Sequence, residues 1–306
     1  QAISSDSILS ETKLIAEPWD AGGLYQLGHF PSISTRWSEW NGCYRDHVKA
    51  FLNGDPHQVS SFASRISGSR DIYPAGNSTN SINYICSHDG FTLYDSVAYN
   101  HKHNEENGEN NRDGTSANYS YNFGCEGETT DPNICQLRER QMKNFFLALF
   151  LSQGIPMIKS GDEYGHTAYG NNNHWCLDTK INHFLWDRLA ERKEFFSFLC
   201  QIITLRTTHA ELFNINFLSE ETITWLNSQG LPREWTPDHY LAFELKHPNY
   251  SLFIAFYSGN ERIEIALPKL RQEHLAYEKI VDSTTGFFSQ ILSPKLSLEP
   301  YSSLVA

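Results

Sequence analysis

Lys13-Leu-Ile-Ala-Glu-Pro-Trp-Asp20 decides how the chain folds. Its apolar run reads as a short strand, and Pro18, which has no amide to give a sheet ladder, ends it. The charged and aromatic residues therefore gather at the strand's C-terminal end. The same arrangement recurs twice. Ser81-Ile-Asn-Tyr-Ile-Cys86 runs into Ser87-His88-Asp89-Gly90, and Ile155-Pro-Met-Ile158 is followed at once by Gly161-Asp162-Glu163. Trp37-Ser-Glu-Trp-Asn41 leads into a helix-like stretch from Tyr44 to Leu52 closed by Asn53-Gly54, another strand and helix unit. Ile134, Leu137, Met142, Phe145, Phe146 and Leu149 mark a helix that Gly154 ends. Strand then helix, with polar clusters after the strands, is the organisation of a parallel barrel or a doubly wound sheet. In both, chemistry sits at that end.

Phe195, Phe198, Leu199, Ile202 and Leu205 keep helical spacing, after which the texture changes. Thr222 to Leu226, Tyr240 to Leu245, Leu252 to Tyr257 and Ile263 to Leu267 read as short strands separated by turns such as Ser258-Gly259-Asn260, as in an antiparallel sandwich. A domain boundary is expected near residue 210, giving residues 1–210 to an α/β unit and 211–306 to an all-β unit. An eight-stranded barrel takes roughly 250 residues. Here about 210 residues show about four strand and helix units, half a barrel.

The 306 residues carry 24 Lys and Arg against 36 Asp and Glu, a net charge of -12 that would repel a phosphate backbone. Nucleic acid is not an expected partner. No apolar run approaches the roughly 20 residues of a membrane span, and no signal segment opens the chain, so a cytoplasmic protein is expected, with no membrane partner. The six cysteines are scattered without metal-binding spacing, and reduced, mostly buried thiols are expected. From His101 to Asp131 the chain is rich in Asn, Glu and Gly, too long for an ordinary connection and so a functional loop. His101-Lys-His103 has the spacing of a metal pair, but without the ordered acidic ladder of a calcium loop a solvated loop is the expectation, with no metal and no cofactor.

Glu17 and Asp89 each lie just past a strand, so a closed barrel aims both at one pocket from non-adjacent strands. Paired carboxylates are what glycoside cleavage needs: one acid protonates the leaving oxygen, and another carboxylate attacks or stabilises the sugar cation. Taken singly, Glu17 reads as a strand-end charge paired with an Arg, and Asp89 as the N-cap of a following helix. Their joint context is different. Lys13 to Asp20 and Cys86-Ser-His-Asp-Gly-Phe-Thr92 resemble the fifth and seventh barrel strands of the isoamylase-type glycogen-debranching enzymes, in the α-amylase superfamily of glycoside hydrolases. Trp37 to Asp46, His103 to Asn111, Gly154 to Glu163 and Gly170-Asn-Asn-Asn173 fit the same pattern.

The resemblance implies the C-terminal half of a (β/α)8 TIM barrel, strands five to eight, plus an antiparallel β-sandwich domain. It implies Glu17 as general acid/base, Asp89 as transition-state stabiliser, and His88 as a hydrogen-bonding partner of the sugar hydroxyls. The 101–131 loop, with Trp19, Tyr25 and Trp175, would help shape a groove for a branched α-glucan such as glycogen, limit dextrin or amylopectin. The family's nucleophilic aspartate belongs to the fourth strand, and no residue here stands in its motif; Asp20 and Asp162 are expected to be structural. The missing N-terminal half of the polypeptide is thus an expected partner, and these residues alone are expected to be inactive. A non-catalytic glucan-binding subunit and a hydrolase of α-1,4 or trehalose-forming specificity are the alternative readings.

Overall fold

The computed structural model describes residues 2–213, 217–270 and 275–306. Four short strands form a parallel sheet in sequence order: β1 (Leu14–Ala16), β2 (Trp37–Trp40), β3 (Ser81–Asn83) and β4 (Ile155–Pro156). Leu14 pairs with Trp37, Glu39 with Ser81 and Ile82 with Ile155. Parallel neighbours need long crossovers. Helices α1 (Gly42–Leu52) and α2 (Val59–Ile66) cross from β2 to β3, α3 (Pro132–Leu151) crosses from β3 to β4, and α4 (Lys193–Thr208) follows.

Local chemistry starts these helices where they start. The Asn41 side chain accepts the Tyr44 amide at 2.9 Å at the head of α1. Asp131 accepts the amides of Asn133 and Ile134 at 2.8 and 3.3 Å, with Pro132 in the first turn of α3 where a missing N–H costs nothing. In α4 the five residues predicted from helical spacing, Phe195, Phe198, Leu199, Ile202 and Leu205, are the buried ones.

The parallel strands are shorter than the apolar runs suggest. The third ends at Asn83 rather than Cys86, and the fourth at Pro156 rather than Ile158. Pro156 has no amide to extend the ladder, and the Met157 amide makes one more bond, to the Asn83 carbonyl at 2.8 Å. The chain enters β4 through Gly154, whose φ is +110° and where a Cβ would lie 2.7 Å from Asn83 Nδ2, too close to fit.

The antiparallel part has a six-stranded sheet in the order β10-β9-β12-β7-β6-β5. Its strands are β5 (Ile223–Leu226), β6 (Tyr240–Lys246), β7 (Ser251–Tyr257), β9 (Glu278–Asp282), β10 (Gly286–Ile291) and β12 (Ser302–Val305). A two-stranded sheet pairs β8 (Ile263–Ala266) with β11 (Lys295–Leu298). Alternation along β6 makes the large sheet buried on both faces. Tyr240 and Ala242 pack with Ile265 and Leu298 of the small sheet, whereas Leu241, Phe243 and Leu245 join the core formed with α1, α2, α3 and α4. Phe62 of α2 sits in that second core, edge-on to Phe256 of β7 at 5.2 Å.

The thiol expectation is corrected. All six cysteines are free, but only Cys86 is buried; Cys43 and Cys125 are half-buried, and Cys135, Cys176 and Cys200 are exposed. Cys200 lies off the apolar stripe of α4, and Cys135 lies in the exposed first turn of α3. Among the described residues no helix is long and apolar enough to cross a membrane.

Candidate active site

The parallel sheet brings Glu17, His88 and Asp89 together. Glu17 is the first residue past β1, and His88 and Asp89 follow β3 after the buried stretch Tyr84 to Ser87. One carboxylate oxygen from each acid and one imidazole nitrogen all lie within 4.8 Å of one another. His88 Nε2 is 3.6 Å from Asp89 Oδ2. The strands that carry them are not neighbours, since β2 lies between, so the convergence comes from the twist and closure of the sheet. Such donors can also hold a cation; equally, they can hand a proton to an oxygen lodged between them. Among the described residues no further carboxylate joins them.

Neither single-residue reading describes the two acids. Glu17 is exposed and makes no ion pair among the described residues, and the helix after Asp89 begins at Asp95 with Tyr94 as its N-cap. Of the acids expected to be structural, Asp20 closes a turn by accepting the amides of Gly22 and Leu24 at 2.8 and 3.0 Å. Asp162 is buried and accepts the Leu93 amide at 3.2 Å; burial pushes its carboxyl up to about 6 against the pull of Lys159.

Aromatic rings surround the cluster. Trp19 stacks on Tyr25 with centroids 6.1 Å apart, and the His88 ring lies 5.7 Å from Trp40 and 6.4 Å from Trp175. Tyr25 and Trp175 are 55% and 56% exposed, so packing alone does not account for them. Tyr84, which the sequence reading treats only as a strand residue, lies beneath: it is fully buried, 5.7 Å from Trp40, with no hydrogen-bond partner for its hydroxyl. Burial pushes the phenol up, Arg45 opposes this, and Asp46, Glu17 and Asp89 add to it. Glu39 of β2 was also missed. It is buried and accepts the amides of Gly28 and Phe30 at 2.6 and 2.8 Å, fixing the turn that follows Tyr25. Burial raises its pKa, and those two amides oppose the rise.

The 101–131 loop is not merely solvated. Asn104, Asn118 and Asn172 are buried and bonded to one another, with Asn104 Nδ2 to Asn172 Oδ1 and Asn172 Nδ2 to Asn118 Oδ1 both at 2.8 Å. The Asn172 carbonyl then accepts the Gly90 amide at 2.9 Å, which ties the network to the turn carrying Asp89. A cleft of about 240 Å³ opens there, lined by Asp89, Arg45, Asn118 and Asn173 among others. Asparagine supplies donor and acceptor on one short side chain, so an Asn-rich run can satisfy itself when folded. Composition alone does not distinguish this from a hydrated loop.

His101 and His103 serve the loop through Glu126. That carboxylate accepts the Asn100 and His101 amides at 2.8 and 3.0 Å, the Asn122 side chain at 2.8 Å, and faces His103 Nε2 at 3.2 Å. Desolvation acts against ionisation, yet these donors hold the carboxyl down at about 2. The folded value lies below the unfolded one. The contribution of Glu126 is therefore complete above about pH 4.5 and is lost as pH falls towards 2. Glu126→Gln is expected to speed exchange of the Asn100 and His101 amides by about tenfold at neutral pH, measured by hydrogen exchange. Unchanged protection would show that the carboxylate does not hold the loop.

No protein-family model matches the chain. It is 41% identical over 315 residues to Isoamylase 3, chloroplastic, of Oryza sativa subsp. japonica, a match covering 99% of this chain and 40% of that protein. It is 44% identical over 237 residues to the Glycogen debranching enzyme of Pectobacterium atrosepticum, covering 76% of this chain and 35% of that protein. The chain thus spans between 35% and 40% of the length of these curated relatives. Pullulanase type I from Bacillus subtilis, solved with maltose, superposes with a TM-score of 0.72 at 19% identity, over 95% of this chain and 39% of that one. The fold is the second half of a (β/α)8 barrel, strands five to eight, followed by an antiparallel β-sandwich.

Proposed function

We propose, from the premise that this chain belongs by homology with the isoamylase-type glycogen-debranching enzymes, that its protein hydrolyses the α-1,6 branch points of glycogen, limit dextrin or amylopectin with retention of configuration. The observation that carries the proposal is the convergence of Glu17, His88 and Asp89 from non-adjacent strands within 4.8 Å. Residues 1–210 carry the barrel part and 211–306 the sandwich, a division supported by the change from parallel to antiparallel pairing between β4 and β5.

The nucleophile is an aspartate of the fourth barrel strand, contributed by polypeptide other than these residues. Its oxygen bonds to the anomeric carbon while Glu17 gives its proton to the departing 6-oxygen. Glu17, now a carboxylate, takes a proton from water, whose oxygen displaces the aspartate and restores it. Asp89 bears the negative charge that stabilises the cation-like sugar in the transition state of each step, and His88 holds the sugar hydroxyls. Trp19, stacked on Tyr25, offers a ring face to a glucose unit. The reaction draws on side chains alone, with no cofactor. A cytoplasmic site of action is part of the proposal, although the rice relative is named as chloroplastic.

The test compares branched with linear glucans on the protein at its full natural length. Reducing ends are expected from limit dextrin and not from unbranched amylose. Hydrolysis of amylose would move the specificity to α-1,4 bonds. Retention of glycogen in affinity electrophoresis without any release of reducing ends would leave only a binding role.

A further inference from the structure

A large cavity that the mechanism does not use lies away from the carboxylates. It measures about 930 Å³ and is lined by α3, the segment 128–130, the helix Trp186–Glu191 with Arg192 after it, and the turn between β9 and β10. Glu17, His88 and Asp89 do not line it. Five cations do: Arg138, Arg140, Lys143, Arg188 and Arg192. Among the lining residues the carboxylates are Glu128 and Glu139 alone, in a chain whose net charge is -12.

The positive charge is poorly neutralised. Glu139 is shared between Lys143 at 3.1 Å and Arg192 at 3.2 Å, so one carboxylate answers two cations. Arg138 is 1% exposed and gives its terminal nitrogens to the carbonyls of Gly127 at 2.6 Å, Asn122 at 2.9 Å and Cys125, while its Nε has no hydrogen-bond partner. Arg140 donates to the Pro300 carbonyl at 2.8 Å, and its Nε is likewise unpartnered. Arg188 makes no ion pair among the described residues. Carbonyl oxygens satisfy donors without cancelling charge, and a guanidinium kept from water without a counter-ion favours an incoming anion. Burial lowers the pKa of Arg140, and Glu299 and Asp282, which do not line the cavity, oppose that fall, so the charge of Arg140 is partly answered.

The remaining wall adds hydroxyls, from Thr129 and Thr130 on one side and Ser283 and Thr284 on the other. Guanidinium forks pair with carboxylate and phosphate alike, and the neutral hydroxyl donors beside them suit the further oxygens that a phosphate group carries. The volume lies in the range of small-molecule sites and is far larger than a free phosphate requires. We propose that this cavity is a second binding site that takes a phosphate-bearing small molecule, of the size of a phosphorylated sugar. Its occupant would bridge the barrel part and the sandwich, because α3 and the β9–β10 turn both line it. The inference does not rest on the glucan chemistry.

The test is calorimetric titration of the full-length protein with inorganic phosphate, glucose 6-phosphate and glucose at fixed ionic strength. Glucose 6-phosphate is expected to bind and glucose not. The double variant Lys143→Gln/Arg188→Gln is expected to weaken binding at least about tenfold, while Lys143→Arg/Arg188→Lys retains it. Glucose 6-phosphate binding more tightly than phosphate supports a sugar phosphate; equal affinities overturn the proposed size and leave a site that reads phosphate alone. Absence of binding by both phosphates at millimolar concentration overturns the proposal. So does undiminished binding by a double variant whose circular dichroism is native.

Discussion

With Gln at position 17, the intact protein is expected to release branches from limit dextrin about 10²–10⁴-fold more slowly than with Glu. Gln matches Glu in shape but can neither deliver the proton that the departing 6-oxygen needs nor take one from water in the second step. The structural cost should be small, because Glu17 is exposed and forms no ion pair among the described residues. An unchanged melting temperature beside a collapsed kcat therefore isolates the chemistry. A glucosyl substrate whose leaving group departs as a stable anion needs no proton in the first step, and its glycosylation rate should suffer much less. Normal debranching by Glu17→Gln would remove the residue from the acid/base role.

The positions of Glu17 and Asp89 at strand ends were legible because a barrel strand writes its own end into the sequence. Ala16 gives way to Glu17-Pro18, and the run from Ile82 gives way to Ser87-His88-Asp89; in each case apolar residues stop where the chain reaches the polar face. Supporting residues carry no such mark. Glu39 is buried inside a run that looks like an ordinary aromatic strand, and its purpose is visible only when the amides of Gly28 and Phe30 are seen pointing at it. Asn172 likewise gains its meaning from Asn104, 68 residues away, and from the Gly90 amide. Strand ends were overestimated because hydrophobicity reports burial and not pairing. Ile85 and Cys86 are as buried as Ile82 yet lie beyond the ladder. β10 was hidden for the opposite reason: its residues are mostly exposed, so it lacks the near-continuous apolar run that betrays β6.

Phe62→Ala is expected to have the largest effect on stability, about 3–5 kcal/mol. The ring is fully buried on α2, stacked on Phe51 of α1 at 4.3 Å and edge-on to Phe256 of β7 at 5.2 Å. It thus belongs to the parallel and antiparallel parts at once, and truncation opens a cavity that neither can fill without moving against the other. A loss of that size is a large share of the roughly 5–15 kcal/mol that holds an ordinary domain folded. Phe62→Leu keeps most of the volume and should cost less than about 1.5 kcal/mol. Urea unfolding of the intact protein measures both, and a shift below about 1 kcal/mol for the alanine variant would show that the shared core is not what joins the two parts. Loosening should also reach the site. Phe51 anchors the helix that begins at Gly42 and carries Arg45, whose guanidinium lies 5.8 Å over the Tyr84 ring beneath Trp40 and His88. A variant that remains folded but has lost activity out of proportion to its folded fraction is therefore the expected outcome, since that helix links the shared core to the ring beneath the site.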